Sequence, residues 1–203
     1  MKKPNKNSKK ELILEAAAAV INEQGVEKMT LEAVAKKAGV SKGGLLYHFP
    51  GKQELIEGLV ESLTTGFTVQ LNREAESEGD QAGKWGRAYV RATFGTEEEL
   101  EWSHMLAAFP AAMFTDPKLL DQVRVQYEEW QKLLENDGVD PVKATILRLA
   151  VDGLWYAELF RLAPPNAELR RKVRDELMRW TEVAKGEYLS DADSESTRKR
   201  KKE

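Results

Sequence analysis

Residues 30–52, TLEAVAKKAGVSKGGLLYHFPGK, constrain the fold more tightly than any other stretch of the chain. The Thr30 hydroxyl suits a helix N-cap, where it accepts from a first-turn backbone N–H that has no partner inside the helix. Leu31, Val34, Ala35 and Ala38 then fall on one helical face. Gly39 follows as a residue free to take the left-handed conformation that ends a helix, and Val40 plugs the space behind the turn. Ser41 caps again, and Lys42 to His48 supply about two turns of a second helix. Pro50-Gly51 breaks the chain before Lys52 opens a long amphipathic run.

A helix, a short glycine-containing turn and a second helix form a helix-turn-helix, whose second helix enters the DNA major groove. The second helix here carries the pair Gly43-Gly44. Each interior helical glycine costs roughly 1 kcal/mol relative to alanine, so two in so short a helix need a reason, and close approach of backbone to a partner surface is one. Ser41, Lys42, Tyr47 and His48 surround them with groups that donate hydrogen bonds to phosphates and base edges. The same pattern also describes a surface turn with incidental polar residues.

These residues resemble a known family. Thr30-Leu31-Glu32-Ala33-Val34-Ala35, then Ala38 to Gly43, then Tyr47-His48-Phe49, Lys52 and Leu55 look like the DNA-binding domain of the tetracycline-repressor (TetR) family. The resemblance covers roughly residues 8–60; beyond it, only an architecture is shared. It implies an all-α, homodimeric transcriptional regulator of about nine helices. Regulators of that family are usually repressors released by a small molecule; two-fold symmetry asks for a palindromic operator, and the aromatic-rich middle helices suit a small hydrophobic effector. In this reading Lys42, Gly43 and Gly44 face base edges, and Thr30, Ser41, Tyr47, His48 and Lys52 clamp phosphates. Leu45 and Leu46 are either thymine-methyl contacts or core.

Charge supports a DNA-binding head. Residues 1–52 carry ten Lys/Arg against five Asp/Glu, a balance of +5, whereas residues 53–189 carry 16 against 25, a balance of −9. With no cysteine there is no disulfide or thiolate metal site, and only two histidines occur, His48 and His104. No apolar run approaches the roughly 20 residues of a membrane span, and MKKPNKNSKK lacks a signal peptide's apolar segment. A cytoplasmic protein is expected. The chain shows no glycine-rich phosphate loop, metal-ligand spacing or nucleophile elbow, so neither an enzyme nor a cofactor is indicated. The remaining rival is a protein-interaction module that keeps the fold without binding DNA.

Three segments are expected: a helix-turn-helix domain over 1–51, a ligand-binding and dimerisation domain over 52–189, and a disordered basic tail over 190–203. The N-terminal arm either follows phosphate or is solvated. Ser8-Lys9-Lys10-Glu11 is a capping box opening a helix to about Gln24. Leu55, Leu59, Leu63, Phe67 and Leu71 repeat every four residues along a helix from Lys52 to about Glu76. Further helices are expected over 83–94, from Thr96 to Phe109, from Asp116-Pro117 to Glu135, from Asp140-Pro141 to about Leu162, and from after Asn166 to about Leu189.

The last two of these helices carry the expected dimer interface. On the first, Leu147 and Leu154 accompany a small-residue ridge of Ala150, Gly153 and Ala157. On the second, Leu169, Val173, Leu177 and Trp180 share a face. Both stripes would equally serve the chain's own core. For a ligand pocket the candidates are Trp85, Tyr89, Trp102, Met105, Phe109 and Met113, then Tyr127, Trp130 and Trp155, with Glu158 as an orienting charge. Core packing is the competing role for most of them.

Overall fold

The computed structural model describes residues 8–94 and 118–182. Within them lie eight helices and no strand. Four belong to the N-terminal half: α1 Lys9–Gln24, α2 Leu31–Ala38, α3 Lys42–His48 and α4 Lys52–Glu76. The others are α5 Lys84–Phe94, α6 Leu119–Glu135, α7 Pro141–Leu159 and α8 Ala167–Trp180. The helix expected over 96–109 and the Asp116-Pro117 start lie outside the described residues, as do the arm and the basic tail.

Local chemistry sets most boundaries. The Ser8 capping box forms in full, with the Ser8 N–H donating to Glu11 at 2.7 Å and the Glu11 N–H donating to Ser8 Oγ at 3.2 Å. Thr30, Ser41, Asp140 and Asn166 each accept a backbone N–H at the start of α2, α3, α7 and α8. Gly39 closes α2 at φ +67°.

Two ends differ from expectation. Helix α7 stops at Leu159, short of 162, because Arg161 turns left-handed at φ 55° and the Leu162 N–H reaches back to the Ala157 carbonyl at 2.9 Å. Helix α8 stops at Trp180, well short of 189. There the Thr181 hydroxyl donates to the Met178 carbonyl at 2.6 Å, and the Thr181 carbonyl accepts from Arg87 Nη1 at 3.2 Å.

The buried side chains form two clusters that share α4. In the first, Ile13, Ala17 and Val20 of α1 pack with Val34, Leu45 and Phe49 and with Leu55, Leu59 and Leu63 of α4. Leu119 and Val123 of α6 complete it. In the second, Phe67 and Leu71 of α4 pack with Ala88, Tyr89 and Val90 of α5, Trp130 and Leu134 of α6, Leu147 and Val151 of α7, and Leu177 of α8. One continuous helix thus spans the core that supports α3 and the core of the C-terminal half. Gly58 lets Phe49 into the first cluster, since a Cβ there would lie 2.6 Å from the Phe49 ring.

Candidate nucleic-acid interface

Helix α3 is held from beneath and left bare above. Leu45 is fully buried and Phe49 nearly so, which pins the helix to the first core. Of the two candidate thymine contacts, Leu45 is therefore core, and the half-buried Leu46 is the one left near the surface. Tyr47 projects outward at 85 % exposure, its ring edge-on to His48 with centroids 5.2 Å apart. An aromatic so exposed gains nothing from the fold.

The two glycines separate on geometry. A Cβ on Gly44 would sit 3.2 Å from Ser41 Oγ, the oxygen that accepts the Gly44 N–H at 3.0 Å, so the cap itself favours a small residue there. A Cβ on Gly43 would meet nothing within 4 Å. Gly43 has no packing reason inside the chain, and its backbone is open to whatever lies over α3.

The polar groups of the head are partly engaged. Thr30 Oγ1 accepts the Ala33 N–H at 3.2 Å and keeps its own proton to donate. Lys42 Nζ lies 2.5 Å from the Glu32 carboxylate of α2, and Lys37 pairs with Glu23 of α1. Glu32 is held below the usual carboxylate range by this Lys42 contact. Lys52, placed by sequence on a phosphate, donates instead to the carbonyls of Val26 at 2.7 Å and Glu27 at 3.2 Å, bracing α4 against the α1–α2 connection. Sequence reasoning missed Glu32. It lies ten residues from Lys42 across a turn, and no local spacing rule pairs the two.

The C-terminal half distributes its nominated residues differently. Tyr89 and Trp130 are buried in an aromatic stack with Phe67, at centroid distances of 5.2 Å and 4.6 Å from it. The Trp130 indole N–H donates to Thr68 on α4 at 3.2 Å. Tyr127 borders an open, charged cleft of about 440 Å³, and Trp85 one of about 260 Å³. Trp155 is half-buried against the first core. Glu158 is occupied by Arg170 at 2.6 Å. Trp102, Met105, Phe109 and Met113 lie outside the described residues.

A polar network crosses this half. The Tyr89 hydroxyl donates to Asp152 at 2.7 Å, and Arg148 donates to Asp152 at 2.9 Å and to Gln131 at 2.5 Å. Burial raises Asp152 despite both partners, and raises the Tyr89, Tyr127 and Tyr156 hydroxyls as well.

Of the nominated interface residues, Leu147 and Leu177 are in the chain's own second core, and Ala150, Leu154 and Val173 pack against it. Gly153, Leu169 and Trp180 are exposed, and Ala157 is half-buried. The outward stripe on α7 is instead Val142, Ile146, Leu149, Gly153 and Phe160, at spacings of four, three, four and seven.

A braced helix-turn-helix carrying a bare, polar second helix, joined by one long helix to an all-helical body, is the build of a DNA-binding regulator. Residues 13–59 match the family described as bacterial regulatory proteins, tetR family, and residues 83–182 match the tetracyclin repressor-like C-terminal domain. The chain belongs to the TetR family, a family of non-enzymatic DNA-binding proteins. Among curated relatives, it is 34% identical to the nucleoid occlusion factor SlmA of Photobacterium profundum over 172 residues, 79% of this chain and 87% of that protein. It is 27% identical to the SlmA of Vibrio campbellii over 124 residues, which span 63% of that protein and 61% of this chain. The match to the SlmA of Aliivibrio fischeri spans 41% of it. Among solved structures, a TetR-family regulator from Rhodococcus superposes with a TM-score of 0.69 at 21% identity, covering 86% of this chain and 99% of that one. SmeT, solved as a complex with triclosan, gives 0.64 at 20% identity over 90% and 95%. These two likenesses establish the fold alone.

Proposed function

We propose that this chain acts as a homodimeric transcriptional regulator, a repressor that binds a palindromic operator through α3 and is released by a small hydrophobic effector. The observation that carries the DNA-binding part is the outer face of α3, where Gly43 has open space and Tyr47 stands almost fully exposed on a helix anchored by Leu45. Thr30, Ser41, Tyr47 and His48 supply phosphate donors, and Lys42 and the backbone of Gly43 and Gly44 lie against base edges. The apolar stripe of α7, with Leu169 and Trp180 of α8, supports a two-fold four-helix interface. Two half-sites then multiply a weak single-helix affinity. Effector action rests on the shared α4: a ligand moving the second core moves the first, within the limit set by its differential affinity for the two states. The protein works on cytoplasmic DNA, and among the described residues no helix is long and apolar enough to cross a membrane.

A second reading rests on the curated relatives, which are named for nucleoid occlusion rather than repression. In it the chain binds many chromosomal sites. Its recognition helix, with a single lysine and two glycines, suits recognition by backbone approach and DNA shape.

Fluorescence anisotropy of the full chain on duplex DNA from upstream of its own gene, against scrambled DNA, tests the first reading. Selective binding that weakens steeply with salt is expected. Tyr47→Phe should weaken binding to all sequences alike, since it removes a phosphate donor; a loss confined to particular operator bases would overturn that assignment. Binding sites scattered across the chromosome in a genome-wide occupancy map would favour the second reading. No binding even at low salt would promote an interaction module.

A further inference from the structure

We infer that Glu32 is a specificity-determining residue, an internal competitor that holds Lys42 away from DNA until α3 is fully docked. The inference rests on the reading of α3 as the DNA-contacting helix and goes beyond it. Lys42 is the only lysine or arginine on α3, whose other residues are Gly43, Gly44, Leu45, Leu46, Tyr47 and His48. Its ammonium is therefore the helix's one lysine or arginine charge toward a polyanion. In the free protein that ammonium lies 2.5 Å from a Glu32 carboxylate oxygen, across the turn. Both side chains are more than half exposed, so the pair forms at the surface where DNA would lie, not in the core.

Exposed pairs of this kind are weak, which suits a competitor. DNA can take the lysine, but the protein must first give up the pair and leave a carboxylate near the DNA backbone. Of the neighbouring cations, the exposed Lys36 of α2 stays available, whereas two others are engaged. Lys37 is paired with Glu23, and Lys52 is turned inward to two carbonyls. A loosely docked complex, held by charge alone, gains little from α3 while Glu32 keeps Lys42. A closely docked complex, in which the Gly43 backbone meets the groove, can exchange Glu32 for acceptors on the base edges. Glu32 thus suppresses non-specific binding more than specific binding.

A double-mutant cycle tests this with Glu32→Gln, Lys42→Gln and the double variant, all as full chains. Anisotropy is measured on the upstream duplex and on a scrambled duplex across a salt series, with thermal melts confirming that the exposed, near-isosteric changes leave the fold intact. Glu32→Gln is expected to tighten scrambled-DNA binding by roughly three- to fivefold per recognition helix, the scale of an exposed ion pair. The gain should shrink as salt rises and disappear in the Lys42→Gln background. An equal gain with and without Lys42 would mean general repulsion and overturn the inference, as would no gain at all. If the wild-type chain binds neither duplex, the DNA-binding reading fails and takes this inference with it. If it binds and Glu32→Gln changes nothing, only the inference fails.

Discussion

Helix α3 and the start of α5 both use glycine where a side chain would be ordinary, and they use it for opposite reasons. At α5, Gly83 sits at φ +79°, and a Cβ on it would lie 2.1 Å from the Thr181 carbonyl oxygen. Its N–H donates to the Asp137 carbonyl at 2.7 Å, while the Asp137 carboxylate accepts the Trp85 and Gly86 N–H groups at 3.0 Å and 2.8 Å. The glycine and the carboxylate there are accounted for by atoms of the same chain, while Arg87 Nη2 beside them is buried without a hydrogen-bond partner among the described residues. At α3, Gly43 is in helical conformation with open space around it. The difference teaches how to separate a residue the fold needs from one that serves something outside the fold: add a methyl group and ask what it would strike.

The largest effect should come from Gly83→Ala. It combines a left-handed backbone with a clash against a carbonyl that cannot move without disturbing Arg87, which donates to the same oxygen. A loss of about 3 kcal/mol is expected, from backbone strain and overpacking together, or a fall in Tm on the order of 10 °C for a chain of this size. A melt within a degree or two of wild type would break the comparison on the α5 side.

Gly43→Ala should move stability and binding in opposite directions. Alanine is favoured over glycine in a helix by up to about 1 kcal/mol, so Tm should rise by roughly 2 °C. Affinity for DNA should fall by about tenfold, since a methyl group would hold the backbone off the groove. Melting and anisotropy on one preparation check both signs. A rise in Tm with unchanged binding would remove Gly43 from the interface.

What the sequence made legible follows the same division. Caps and breakers were readable because they act within a few residues: Ser8, Thr30, Ser41 and Asp140 all do what their chemistry suggests. The four-residue repeat from Leu55 to Leu71 correctly placed the face of α4 that is buried. Asn136-Asp137-Gly138 was legible only as the end of a helix. Gly138 does turn at φ +73°, but Asp137 has left its own helix to cap α5 more than fifty residues earlier in the chain. The Tyr89–Asp152 bond and the Glu32–Lys42 pair are likewise tertiary, and periodicity carries no information about them. Apolar stripes on α7 and α8 could not reveal which face the chain keeps for itself. Leu147 and Leu177 turned inward, while Val142, Ile146 and Leu149 stayed out.

Two carboxylates sharpen the contrast through pH. Burial pushes Asp152 up, and Tyr89 and Arg148 only partly oppose it. Burial also pushes Glu78 up, but Arg91 and Arg87 together outweigh it and hold the group below its ordinary value. A raised carboxyl ionises at a cost to the fold, so its contribution falls as pH climbs from the ordinary 3.8 through the raised value. Asp152→Asn should therefore improve relative to wild type as pH rises from about 4 to 7. The contribution of Glu78 is fully present above the ordinary 4.5 and is lost as pH falls through its lowered value. Glu78→Gln should be at its worst against wild type near neutrality, with the gap closing in acid. Melts of the three proteins from acid to neutral pH should show differences of opposite slope, that of Glu78→Gln below about 4.5 and that of Asp152→Asn above about 4, a few degrees in Tm. Parallel slopes would mean that the arginines, not burial, dominate both sites.

The smallest expected effect lies at Arg161. It ends α7 in the left-handed conformation at φ 55°, the position where glycine is the usual residue, and the Leu162 N–H to Ala157 carbonyl bond marks the same closing turn. An arginine there costs roughly 1 kcal/mol, and among the described residues no carboxylate meets its guanidinium. Arg161 therefore resembles Gly43: a residue the fold would exchange, standing beside the exposed Phe160 and Leu162 at the end of the apolar stripe of α7. Arg161→Gly should raise Tm by about 2 °C. If the stripe is an interface between two copies, the same change should also weaken self-association, measured by sedimentation at several protein concentrations. A gain in stability with unchanged association would place Arg161 outside that interface and leave its backbone strain without a functional reason.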